Sequence, residues 1–239
     1  MNTSKIWYVT GASQGLGLIL VKKLLENGYK VAATSRDALA LGQAVGLIDK
    51  DRFLPLAVDL NNLDCIDESI QQTLATFGRI DVVVNNAGYG MAGTIEETAE
   101  QDITNIFNIN VLATIDVVKS VLPVMRRQRS GYIINIGSVA GFAGAPGWSV
   151  YSSTKGAVAA FSEVIALDVK EFGINVTVAE PSGFRPDRAA KIFMELAESP
   201  KPPMHLFLGN DAYRRASKKL TEMSEELEQW KSITAGADL

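Results

Sequence analysis

Tyr151 and Lys155 stand four residues apart in the run Tyr151-Ser152-Ser153-Thr154-Lys155. On a helix that spacing puts both side chains on one face. An ammonium beside a phenol favours the phenolate form. The pair therefore suits proton exchange with an alkoxide or carbonyl oxygen near neutral pH. Ser138 lies thirteen residues upstream of Tyr151, and its hydroxyl can hydrogen-bond the same oxygen. Taken alone, Tyr-x-x-x-Lys recurs by chance. It gains meaning from Ser138 and from a third signal near the other end of the chain.

That signal is Thr10-Gly11-Ala12-Ser13-Gln14-Gly15-Leu16-Gly17. Its three glycines sit between a strand-like run and a helical pattern, the context a dinucleotide turn requires. Glycine lets the backbone approach a pyrophosphate, and the following helix offers free N–H groups and a positive dipole end. The spacing is Gly-x-x-x-Gly-x-Gly, not Gly-x-Gly-x-x-Gly. A tight structural turn is the plain alternative. NAD-selective sites place an acid at the end of the second strand. Here that strand ends Ala33-Thr34-Ser35-Arg36, with Ser35 where the acid would sit. A guanidinium forks onto a phosphate, so Arg36, assisted by Ser35, is expected to bind the 2′-phosphate of NADP(H). NAD(H) is the less favoured cofactor. The competing reading pairs Arg36 with Asp37 at the surface.

These residues need a scaffold, and the rest of the chain supplies one. Strands are predicted at Ile6–Thr10, Val31–Ser35, Leu54–Asp59, Asp81–Asn85, Tyr132–Ile136 and Ile174–Ala179. Helical patterns follow: from the glycine turn to about Asn27, then Leu63–Phe77, Glu100–Arg127 and Tyr151–Phe172. Short strands that are apolar at every position are buried on both faces, as in a parallel sheet covered by helices. The alternation predicts an α/β fold, a doubly wound parallel sheet of Rossmann type in three α/β/α layers within a single domain over 1–239. Leu206–Leu208 reads as a last strand, with His205 structural at its start. Asp211–Trp230 carries Leu220, Met223, Leu227 and Trp230 at helical spacing, which reads as core or subunit contact.

Composition narrows the classes. The chain has 239 residues, 47% of them hydrophobic, and a formal charge of −4 with the signs interspersed, so no basic nucleic-acid face is expected. The basic cluster Met125-Arg126-Arg127-Gln128-Arg129 reads as a solvated helix end. One cysteine, Cys65, and one histidine exclude an intrachain disulfide and a Cys/His zinc site. The first residues show no signal-peptide pattern. No apolar run approaches the ~20 residues that span a bilayer. A cytoplasmic protein with no membrane partner is expected.

With these motifs in place, the chain resembles the short-chain dehydrogenase/reductase family in its compact single-domain branch, over about residues 5–185. The matching residues are Thr10–Gly17, Asp59-Leu60, Asn85-Asn86-Ala87-Gly88, Asn110, Ser138, Tyr151 and Lys155. The resemblance implies that Asp59 and Leu60 flank the adenine, and that Asn86, Ala87 and Gly88 line the ribose side and steady the central strand. It implies that Asn110 kinks its helix and holds a water in a proton relay. It further implies that Ser138 orients a carbonyl, that Tyr151 protonates it, and that Lys155 also bonds the nicotinamide ribose. Pro181 and Gly183 complete the implied cofactor set. The implied activity is hydride transfer between NADP(H) and a small-molecule carbonyl or secondary alcohol. A homodimer or homotetramer through the helices near 100–127 and 151–172 is also implied.

The chain departs from the family pattern after the sixth strand. The family reads Pro-Gly-x-x-x-Thr, whereas this chain reads Pro181-Ser182-Gly183-Phe184-Arg185-Pro186. The threonine expected to contact the carboxamide is absent. The segment that covers substrate is also absent between Arg185 and Pro186. Either the protein lacks this lid, or a mobile segment is missing at the junction; the second is the working expectation. Trp148 is a candidate pocket wall. A cofactor-binding sensor or scaffold without turnover is the alternative function. A sugar-nucleotide epimerase, the third option, needs a larger C-terminal substrate domain than this chain has room for.

Overall fold

The computed structural model describes residues 5–46 and 51–236. Strand β1 (Ile6–Val9) is buried at every position and runs through the glycine turn into α1 (Gly15–Glu26). β2 (Lys30–Ser35) leads to α2 (Ala38–Val45), whose first turn is capped by the Asp37 carboxylate accepting from the N–H groups of Leu39 and Ala40. β3 (Phe53–Ala57) leads to α3 (Leu63–Phe77), which starts at an Asn62 cap and ends at Gly78 in the left-handed region, φ +82°. β4 (Val82–Asn85) follows, then α4 (Glu100–Phe107), a π-helical stretch Asn108–Leu112, and α5 (Ala113–Gln128).

β5 (Gly131–Ile136) is followed by the single-turn α6 (Val139–Phe142) and the long α7 (Ser149–Val169). β6 (Ile174–Pro181) passes into α8 (Pro186–Glu198) through four residues. Pro186 occupies the first helical turn, and the Arg185 carbonyl accepts from the N–H groups of Arg188 and Ala189. β7 (His205–Leu208), α9 (Asn210–Gln229) and α10 (Lys231–Ala235) complete the chain.

All seven strands are parallel, in the order β3-β2-β1-β4-β5-β6-β7. Alternate side chains of each strand enter opposite cores. Trp7 and Val9 join Leu20, Leu24 and Phe193 beneath α1 and α8. Tyr8 joins Ile66, Ile70, Val117 and Val121 beneath α3 and α5. The strand order reverses at β1, which pairs with β2 on one side and β4 on the other. In such sheets the ligand crevice lies at this point, outside the carboxyl ends of the strands.

Glu100–Gln128 is a helical stretch of 29 residues, long and apolar enough by length and composition to cross a membrane. Asp116 and Lys119 interrupt any unbroken apolar run within it. The stretch packs on the sheet as a core helix does, with Val117, Val121 and Met125 of α5 buried.

Candidate active site

The glycine turn is built by close approach. Gly11 has φ +64°, and a Cβ there would stand 2.7 Å from the Ala87 Cα. A Cβ on Gly17 would meet Asn86 Nδ2 and the Gly11 carbonyl, each at 2.6 Å. Gly15, φ +58°, faces open space. The turn is tied to the end of β4 from both sides. Asn86 Nδ2 donates to the carbonyls of Thr10 (3.0 Å) and Gly11 (2.9 Å). Thr10 Oγ1 accepts from the N–H groups of Asn86 and Ala87. Gln14, at the N-cap of α1, makes no side-chain cap bond and the first turn holds no acid, so its N–H groups face outward for another acceptor.

A cleft of about 500 Å³ opens over this turn. Its walls include Ser13 to Leu16, then Ser35 and Arg36, Asp59 and Leu60, and Asn86 to Gly88. Arg36 is exposed and has no ion-pair partner among the described residues, while Asp37 is committed to capping α2. The surface-pair reading of Arg36 therefore fails. Ser35 lines the cleft, but its hydroxyl donates to the Asp37 carbonyl (2.6 Å) and accepts from the Asp37 N–H. Its one proton is spent on the Asp37 carbonyl, so the expected assistance of Ser35 to Arg36 on a phosphate is corrected: Ser35 has no donor left to give. Thr34 Oγ1, on the same wall, is buried without a protein partner. Glycines kept clear of Cβ atoms, an uncapped helix start and a free guanidinium fit a dinucleotide phosphate. A second cavity of about 410 Å³ lies at the opposite ends of the strands, around Lys5, Arg79 and Glu198, and holds none of the predicted residues.

Beside the cleft, α7 brings Tyr151 and Lys155 to one face, with Lys155 Nζ 5.9 Å from the Tyr151 ring centroid. Lys155 is 5% exposed, and burial pulls its ammonium down to about 8. Among the described residues its one hydrogen-bond acceptor is the Ile136 carbonyl at 2.7 Å. Its Nζ lies 3.4 Å from where a Gly88 Cβ would stand, so the lysine reaches the cleft floor. Ser138 begins α6 and its Oγ accepts from the Ala140 N–H, leaving the hydroxyl proton for an incoming oxygen. Tyr151 stacks edge-on to Trp148 (5.6 Å), which in turn leans over Gly90.

Asn110 falls inside the π-helical stretch, so the expected kink takes the form of a π-turn. Both of its amide protons are committed. Oδ1 accepts from the Tyr89 N–H, and Nδ2 donates to the Tyr89 carbonyl and to Thr154 Oγ1. It thus locks the loop after β4 onto α7. Pro181 and Gly183 are not among the cleft walls. Their turn is tied instead to β7 and α9 by Ser182, through the Leu208 carbonyl and Asp211. His205 is structural, as expected: it bridges Glu163 (3.2 Å) and Glu180 (3.0 Å).

Sequence reasoning quoted Thr10, Asn85 and Thr154 within their motifs but assigned none of their bonds, and it missed the buried ladder in which Asn85 donates to Asn135 and Asn135 donates to Ser162. A polar residue in the otherwise apolar Tyr132-Ile133-Ile134-Asn135-Ile136 was the available signal.

A sheet that turns at a glycine-rich crossover, with Ser, Tyr and Lys beside it, defines the nicotinamide-binding dehydrogenases of the doubly wound class. The chain belongs to the short-chain dehydrogenase/reductase family: the family model described as short chain dehydrogenase matches residues 5–197. It is similar to the oxidoreductase BOA17 of Botryotinia fuckeliana, 33% identical over 97% of this chain and 98% of the relative. That alignment runs over 269 positions against 239 residues here, so the relative carries segments this chain lacks. A solved short-chain dehydrogenase from Streptomyces avermitilis matches with a TM-score of 0.94 at 31% identity, covering 100% of both chains. A metagenomic short-chain oxidoreductase solved in complex with NADP matches with a TM-score of 0.78 at 27% identity, over 87% of this chain and 97% of that one. Members of the family are oxidoreductases that bind nicotinamide cofactors.

Proposed function

We propose that the protein is an NADP(H)-dependent reductase of ketones or aldehydes, working in reverse on secondary or primary alcohols. The observation that carries this reading is that Ser138, Tyr151 and Lys155 lie beside the cleft, with the Ser138 hydroxyl proton unused and Lys155 donating to only one acceptor, the Ile136 carbonyl, among the described residues. Gly11, Gly15 and the first turn of α1 would hold the pyrophosphate, Asp59 and Leu60 the adenine, and Arg36 a 2′-phosphate. The bound nicotinamide supplies or accepts the hydride. Ser138 donates its hydroxyl proton as a hydrogen bond to the substrate oxygen and fixes its position. Tyr151 transfers its phenolic proton to that oxygen, so that carbonyl, hydride and proton together make the alcohol. The cationic Lys155 beside the Tyr151 ring stabilises the phenolate left behind. Asn110 acts at one remove, by holding the loop that carries Tyr89.

The similarity to an NADP complex and the free Arg36 support the cofactor preference. The test is a carbonyl panel assayed with NADPH and NADH. Tyr151→Phe is expected to cut kcat by about 10²–10⁴ while cofactor binding persists. Arg36→Glu is expected to cut kcat/KM for NADPH by roughly tenfold to a hundredfold, and that for NADH little, because a charge-assisted contact is lost. Wild-type turnover by Tyr151→Phe overturns the mechanism. A native preference for NADH overturns the Arg36 assignment. Tight cofactor binding with no turnover on any carbonyl would define a sensor instead.

A further inference from the structure

Outside the residues matched by the family model, α9 carries an apolar stripe that the described chain leaves uncovered. Its foot packs on the body. Ala212 and Ala216 are buried, Asp211 bonds Ser182, and Arg215 donates to the Ala143 carbonyl. From Leu220 through Trp230 every residue is exposed, so the outer half of the helix rises off the domain. Tyr213, Leu220, Met223, Leu227 and Trp230 are exposed at spacings of seven, three, four and three, and Ala216, which falls in the same register, is buried on the body. That is the seam of a coiled coil, and beyond the foot its apolar side chains are bare: Leu220 is 55%, Leu227 66% and Trp230 51% exposed. A row of large apolar side chains this continuous marks an interaction surface.

Charge says what covers it. The foot carries Arg214, Arg215, Lys218 and Lys219, whereas the outer half carries Glu222, Glu225, Glu226 and Glu228. A second α9 laid parallel would set like charges together. Laid antiparallel about a two-fold axis, each basic foot lies along an acidic outer half, and the seam repeats itself from either end. An anionic membrane would be repelled by the outer half, where the stripe is most exposed. We propose that α9 is an assembly helix that pairs antiparallel with α9 of a second copy of this chain. It brings Leu220, Met223 and Leu227 of both copies into one seam, flanked by Lys219 and Glu226 of opposite copies. The pairing is separate from any contact through α5 or α7.

The test mixes protein of ordinary and ¹⁵N isotopic content and applies a zero-length carbodiimide cross-linker. Mixed-isotope links joining the Lys218-Lys219 pair to Glu225 or Glu226 are expected. Leu220→Glu with Leu227→Glu, at two exposed positions, is expected to weaken self-association at least about tenfold in sedimentation and to remove those links, with the circular dichroism spectrum unchanged. Lys219→Glu is expected to weaken pairing, and its combination with Glu226→Lys to restore it. The proposal is overturned if mixed-isotope links are absent, if they persist unchanged in the Leu220/Leu227 variant, or if an amine-specific cross-linker joins foot to foot. Co-sedimentation with phosphatidylcholine–phosphatidylserine vesicles, without mixed-isotope links, also overturns it and assigns the stripe to a membrane.

Discussion

Lys155 shows how one residue couples chemistry to stability. Its ordinary value of 10.5 falls to about 8 because burial penalises the charged form. The folded value is depressed, so full stability belongs to pH above 10.5, is lost as pH falls toward 8, and stays lost below it. At pH 7 the folded chain carries this cost. Lys155→Met is therefore expected to raise the urea midpoint, by up to about 3 kcal/mol in stability, while ending turnover. An unchanged or lower midpoint contradicts the account. The same value predicts that kcat/KM for carbonyl reduction declines above about pH 8, as the ammonium beside Tyr151 loses its proton. Tyr151, Lys155 and Ser138 were legible in the sequence because their chemistry depends on local spacing. The bonds made by Thr10 and Thr154 were not. Their partners, Asn86 and Asn110, lie 76 and 44 residues away, and only the fold brings them together.

Among elements, the turn between β1 and α1 separates fold from function. Gly11 is hemmed by the Ala87 backbone at positive φ, whereas Gly15 has the same hand of φ and open space in front of it. Gly11→Ala is expected to destabilise the protein by roughly 1–3 kcal/mol from αL strain and backbone displacement together. Gly15→Ala carries only the αL cost of about 1 kcal/mol and should chiefly weaken dinucleotide affinity. Equal melting temperatures for the two variants would contradict this division. The strands were readable because all-apolar runs have one stable home, a sheet covered on both faces. α2 was not, since Ala38-Leu39-Ala40-Leu41-Gly42 alternates without a helical period. Its start depends on the Asp37 cap, a residue that only the competing sequence reading placed, as a partner of Arg36. The π-turn at Asn108–Leu112 was foreseen only as a kink; its side-chain bonds to Tyr89 and Thr154 needed the tertiary structure.

At the scale of the whole molecule, Glu163 of α7, Glu180 of β6 and His205 of β7 clamp one edge of the sheet to its covering helix. Glu180 is fully enclosed, and its Oε1 has no partner. Burial raises its carboxyl above the ordinary 4.5, against the opposing pull of His205. For a raised value, stability is fully present below 4.5 and lost as pH rises through the folded value. Glu180→Gln keeps a hydrogen bond to His205 and removes the charge. Its melting temperature is expected to gain on the wild type as pH rises from acid toward neutral. A constant difference across that range would show that Glu180 titrates normally.

The strand order has a consequence for synthesis. β1, β2 and β3 leave the ribosome first and lie side by side. β4 then joins the free flank of β1, and β5, β6 and β7 each join the strand made just before. No strand must wedge itself between two that are already paired. A nascent chain therefore always offers the next strand a waiting edge, and the wall that carries Arg36 can stand before Tyr151 has been translated.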